Sequence, residues 1–190
     1  MRISSHPVSL MRRLCSQAAL VALAASLVPV AAADVGSERG IKAAFVSKFI
    51  GYVEFPGQAG DATVPLVIGV VGADDIAAEL ARIVGPRGVN GRTVKVRTMA
   101  PGDRFDAVDV LFVGLGESDR AERLLRQAAA EGILTITEFD RALRQGSVIN
   151  FRIVDERVRF EISLAAAEKA RLKLSSRLLS VAYYVDKGER

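Results

Sequence analysis

Two alternating apolar runs, Ile149-Phe151-Ile153 and Val158-Phe160-Ile162, flank Asp155-Glu156, and that pattern admits a single hairpin register. With Asp155 and Glu156 as a two-residue loop, Ile153 lies against Val158, Phe151 against Phe160 and Ile149 against Ile162. A slip of one residue would turn this apolar face to water. The other face then carries Asn150 across from Glu161 and Arg152 across from Arg159, with Arg152 also diagonal to Glu161. Two readings of Glu161 stay open. It forms a solvated cross-strand ion pair worth less than about 1 kcal/mol, or it is a partly buried anchor for Arg177 or for a ligand.

Upstream of the hairpin the period switches back and forth. From Gly40, the residues Ile41, Ala44, Phe45, Lys48, Phe49 and Tyr52 recur at helical spacing until Phe55-Pro56-Gly57 ends the run. Val64–Val71 is a nearly continuous apolar run, as for a strand buried on both faces, and a helix with Ile76, Leu80, Ile83 and Val84 on one side follows Gly72. Val94 and Val96 mark a further strand. Val108–Val113 is another, followed by a helix with Ser118 as the expected N-cap and Gly132 as the stop. Ile133–Thr137 is the next strand, and Thr137-Glu138-Phe139-Asp140 reads as a capping box opening a short helix that Gly146 closes. Strands alternating with helices imply parallel crossovers. The expected fold is a single-domain α/β sandwich with a mostly parallel central sheet, a C-terminal β-hairpin and helices on both faces.

Residues 1–33 have the pattern of a cleaved secretory signal: Arg2, Arg12 and Arg13, then a mostly apolar stretch, then Ala31-Ala32-Ala33. The apolar stretch is short and interrupted by Ser16, Gln17, Ser26 and Pro29, whereas a membrane anchor needs about 20 firmly apolar residues. No stable anchor is therefore expected after cleavage, and residues 34–190 are expected to form the domain. Cleavage removes three of the 26 basic residues and none of the 22 acidic ones, so the apparent basicity largely disappears. A nucleic-acid footprint is unsupported. The only cysteine, Cys15, and the only histidine, His6, lie in the leader. Without them the exported chain has no Cys/His zinc site, no cysteine nucleophile, no Ser-His-Asp triad and no internal disulfide.

The glycine turns after two strands invite a nucleotide reading. A dinucleotide fingerprint needs a third glycine three positions after the second, and Asp75 and Asp119 stand there. Both are read as tight turns. Of Ser175 and Ser176, one caps the last helix. No metal site, cofactor or paired catalytic acids are expected.

Several stretches together resemble the YfiR/HmsC-like periplasmic proteins, small exported regulators of membrane-bound diguanylate cyclases. They are Lys42-Ala43-Ala44-Phe45 through Val53-Glu54-Phe55-Pro56, Ile68-Gly69-Val70, Gly91-Arg92, Val110-Leu111-Phe112, Leu134-Thr135-Ile136, and the block from Gly146-Ser147-Val148-Ile149-Asn150-Phe151 to Leu179. The resemblance implies a binding protein rather than an enzyme: a periplasmic repressor that holds the sensor domain of an inner-membrane cyclase inactive, lowering cyclic di-GMP and biofilm output. The runner-up is a stand-alone periplasmic small-molecule sensor. A homodimer is left open. Asn150, Arg152, Arg159, Glu161 and Arg177 are the expected ligand- or partner-binding cluster, supported by Phe45, Phe49 and Phe151. The chain departs from the family at four places. Val108-Asp109 stand where a cysteine is common, so a thiol switch is absent. Ser163 replaces an asparagine, Arg171 a glycine and Phe55 a tryptophan.

Overall fold

The computed structural model describes residues 31–56, 64–85, 88–89 and 91–188. Contacts divide the chain into Met1–Val35 and Gly36–Arg190, and the fold below is that of the second unit. The expected leader lies outside the described residues, apart from Ala31–Ala33 at the start of the first helix.

The elements in order are α1 (Ala31–Phe49), β1 (Val53–Glu54), β2 (Leu66–Val71), α2 (Asp74–Val84), β3 (Val94–Met99), β4 (Val110–Val113), α3 (Ala121–Glu131) and β5 (Leu134–Thr137). After them come β6 (Ile149–Val154), β7 (Arg157–Ser163), α4 (Leu164–Lys169), β8 (Lys173–Leu174), α5 (Ser176–Val181) and β9 (Tyr184–Asp186). Seven strands form one sheet in the order β3-β2-β4-β5-β6-β7-β9, while β1 and β8 pair separately. The sheet is parallel from β3 to β6, antiparallel between β6 and β7, and parallel again between β7 and β9. This is the expected α/β sandwich, and the hairpin register is the one its apolar pattern dictates. Asp155 and Glu156 both take positive φ (49° and 58°), the geometry of the two-residue turns whose twist matches the flanking strands.

The two sheet faces differ. One is apolar throughout: Val70, Phe112, Ile136, Ile149 and Ile162 are buried in a core shared with Ala43, Val46 and Phe49 of α1, Ile76 and Leu80 of α2, and Leu178 of α5. The other changes along a single cross-strand row. Val71, Val113, Thr137, Asn150, Glu161 and Tyr184 are register partners in succession. Its apolar end lies in the core formed with Leu124, Leu125 and Ala128 of α3. Its polar end extends beyond that helix to β6, β7 and β9.

Two expectations are corrected in the loops, and three short strands were not expected. Thr137-Glu138-Phe139-Asp140 is no capping box, because its groups are bound elsewhere and the only helical turn there is the 3-10 segment Ala142–Gln145. Ser118 does not cap α3, since the 3-10 turn Leu115–Arg120 intervenes. Strands β1, β8 and β9 escape the sequence pattern because two or three residues are too few to show alternation. Gly132 and Ser175 behave as expected. Gly132 ends α3 with φ 74°. Ser175 caps α5 by accepting from the Leu178 N–H, and Ser163 likewise caps α4 by accepting from Ala166. Arg171 is left-handed at φ 58°, a conformation that costs a non-glycine residue about 1 kcal/mol.

The glycine turns meet. A Cβ on Gly114 would lie 2.2 Å from the Gly72 carbonyl oxygen and 2.7 Å from Ala73 Cβ, so the turns after β2 and β4 are in backbone contact.

Candidate functional site

Asn150 is fully buried on the polar face, and its orientation is fixed by chemistry. The Phe139 backbone N–H donates to Asn150 Oδ1 at 3.2 Å, and Thr137 Oγ1 donates to the same oxygen at 2.8 Å. A backbone N–H cannot accept, so the amide oxygen must point that way and the amide nitrogen must point to Glu161. Asn150 Nδ2 donates to Glu161 Oε1 at 2.9 Å. Ser147 Oγ extends the network beneath, donating to the Ile149 carbonyl at 2.7 Å. A buried amide with partners on both its oxygen and its nitrogen thus holds a half-buried carboxylate at a set position on the sheet.

That carboxylate lies in an open cleft of about 520 Å³ lined by Asp140, Arg141, Leu143, Arg144, Arg152, Glu161, Tyr184 and Asp186. The cleft draws on three parts of the chain: the turn 140–144, the hairpin and β9. Its lining is polar and of mixed charge, and Arg152 donates to Asp140 Oδ1 at 2.9 Å.

Of the residues expected to cluster, Asn150, Arg152, Arg159 and Glu161 share this face. Arg177 does not join them. It is exposed on α5, which packs through Leu178 into the core of the opposite sheet face, so the Arg177 anchor for Glu161 is replaced by Asn150. The diagonal Arg152–Glu161 pair is also absent, because Arg152 turns to Asp140. Phe45, Phe49 and Phe151 lie on the apolar face and reach the polar cluster only through the sheet. Phe49 meets Phe160 edge-on at 4.8 Å and stacks with Phe151 at 5.9 Å, and Phe45 lies 5.6 Å from Phe160. Sequence reasoning missed Thr137, Asp140, Arg141, Arg144, Tyr184 and Asp186. The first looked like a cap, the next three lie in a turn without periodicity, and the last two form a strand of only three residues.

A second ionic cluster lies at the strand ends. Lys42 of α1 donates to Glu138 Oε2 at 2.7 Å and also pairs with Glu38, while Glu138 Oε1 accepts from the Leu115 N–H at 3.3 Å. Burial by itself depresses the Lys42 ammonium, but the hydrogen bonds and charges of Glu138 and Glu38 outweigh it and the net shift is upward. A raised pKa means that the folded state binds this proton more tightly. The contribution is complete below the ordinary lysine value near 10.4 and is lost as pH rises through the folded-state value. Melting temperature is therefore expected to fall above about pH 10 in the wild type. In Lys42→Met the loss attributable to this residue should disappear, as checked by thermal melts between pH 8 and 11.

Among the described residues no three His, Cys, Asp or Glu side chains are grouped to hold a metal ion, and no helix is long and apolar enough to cross a membrane.

Fold and site together define an α/β domain with one face buried under helices and a partly open polar face at one end of its sheet. The chain belongs to the YfiR/HmsC-like family, whose model matches residues 39–183. A structure similar in fold is the crystal structure of a conserved domain protein from Vibrio cholerae O1 biovar El Tor str. N16961, with a TM-score of 0.56 and 11% identity. The alignment covers 78% of this chain and 60% of that one, so this chain spans less than two thirds of its neighbour. No curated protein matches the chain in sequence.

Proposed function

We propose that the protein is a periplasmic regulatory binding protein that represses an inner-membrane diguanylate cyclase by contact with its sensor domain, lowering cyclic di-GMP and biofilm output. Membership of the YfiR/HmsC-like family over residues 39–183 carries this reading. The half-open polar face supports it, because Glu161 is held in place by a buried amide and faces a cleft rather than the core. The test is direct. Deletion of the gene should raise cellular cyclic di-GMP, and the full chain should recover a membrane diguanylate cyclase from envelope extract. Unchanged cyclic di-GMP together with no cyclase recovered would sink the reading.

The cleft of about 520 Å³ favours one alternative, a periplasmic small-molecule sensor, since its size falls in the range of ligand pockets. A metabolite that raises the melting temperature of the wild type but not of an Asn150 variant would favour it.

A further inference from the structure

The polar face carries an electrostatic arrangement that the domain does not resolve internally. Arg152 and Arg159 are direct cross-strand partners, and like charges so placed repel. Arg152 is neutralised by Asp140 at 2.9 Å. Arg159 is exposed and forms no ion pair among the described residues, and the same holds for Arg157, two positions along the same face of β7. The contrast with the helices is informative: Arg82 pairs with Glu79 on α2, and Arg126 pairs with Glu122 on α3. Along β7 the open face therefore presents cation, cation, anion at Arg157, Arg159 and Glu161. Alternate residues of a strand are about 6.6–6.8 Å apart. Tyr184 flanks Glu161 on β9 and is 53% exposed, which adds an aromatic side chain of the kind that dominates binding interfaces.

We propose that this face docks an extended acidic segment of a protein partner, with carboxylates at alternate positions meeting Arg157 and Arg159 and a cationic residue at the next alternate position meeting Glu161. The assignment rests on the partner-binding reading above and specifies its chemistry. Guanidinium groups bind carboxylates through paired hydrogen bonds, so each arginine can supply both charge and orientation. Glu161 supplies discrimination. Its carboxylate, held by Asn150, repels an unbroken acidic run and selects a segment with a cation in register.

The test uses wild-type protein recovered from the periplasm and a labelled capped peptide, Ser-Glu-Ser-Glu-Ser-Lys-Ser, together with its reversed sequence because strand direction is free. At low salt, one of the two should bind and shift the resonances of Arg157, Arg159 and Tyr184. Affinity should fall about tenfold or more in Arg157→Ser/Arg159→Ser and stay unchanged in Arg123→Ser on α3. Equal binding of a peptide with every charge reversed, or no effect of the double substitution, overturns the proposal. So does stronger binding, with the same arginine dependence, to phosphatidylglycerol vesicles or to inorganic phosphate. A capture arm separates the two levels of inference. If wild type and double variant recover the cyclase equally, the arginine face falls and the regulatory reading stands. If neither recovers it, the regulatory reading falls and the peptide arm alone decides the docking chemistry.

Discussion

Phe49→Ala is expected to lower the unfolding free energy by about 3–5 kcal/mol, the range for deleting a large aromatic from a packed core. Phe49 is 2% exposed and touches the rings of Phe45, Phe151 and Phe160, so its removal leaves a cavity between α1 and the hairpin. The site lies across the sheet from these rings, which gives the variant a diagnostic use. Denaturant melts should show the full loss, while the Asn150–Glu161 contact should persist in the folded fraction. A loss below about 1 kcal/mol would mean that α1 does not pack on the hairpin as described.

Asn150→Leu is expected to cost about 2–6 kcal/mol, because it leaves two groups without their partner. The Phe139 N–H loses its acceptor, and Glu161 loses the donor that fixes it. A buried donor left unsatisfied, as the Phe139 N–H would be, costs about 1–3 kcal/mol, and a lost hydrogen bond to a charged group, as at the half-buried Glu161, about 1.5–3 kcal/mol. Thr137 is less affected, since Ser147 Oγ and the Ile149 carbonyl lie within 2.9 and 3.2 Å of its hydroxyl. Urea melts measure the stability. Glu161→Gln, which keeps the shape and an acceptor oxygen for Asn150, should be milder. If the two variants proved equally damaging, the loss would belong to the carboxylate charge rather than to the amide network.

The hairpin was legible in the sequence because period-two alternation and a two-residue loop leave one register for Ile149–Ile153 against Val158–Ile162. The sandwich followed from strands alternating with helices. The composition of the site was only partly legible. Cross-strand partners on β6 and β7 follow from local pairing, so Asn150 and Glu161 could be placed opposite each other. Contacts made through turns do not follow from periodicity, and Asp140 reaches Arg152 from such a turn. An anchor for Arg177 was one of the open readings of Glu161, and Arg177 joined the expected cluster with the family-like C-terminal block. Leu178 decides otherwise, because burying it turns α5 onto the opposite sheet face. Lys42 stood in the sequence only as the first residue of the family-like stretch Lys42-Ala43-Ala44-Phe45, and only the fold brings Glu138 to it across 96 positions of sequence.

The contact between Gly72 and Gly114 bears on where this architecture can receive anything at all. Open parallel sheets hold ligands in the crevice beyond the strand ends, where neighbouring crossovers leave in opposite directions. Here β2 lies between β3 and β4, and its turn touches the one after β4 with no room for a methyl group. The Glu138 carboxylate ties β5 to Leu115 and α1 at the same end. With that doorway shut by backbone, the open polar surface left to the sheet is the flank of the hairpin, where side chains rather than main-chain amides are presented. Exposed side chains on β7 can therefore be exchanged without disturbing the interlocked turns that keep the sheet together.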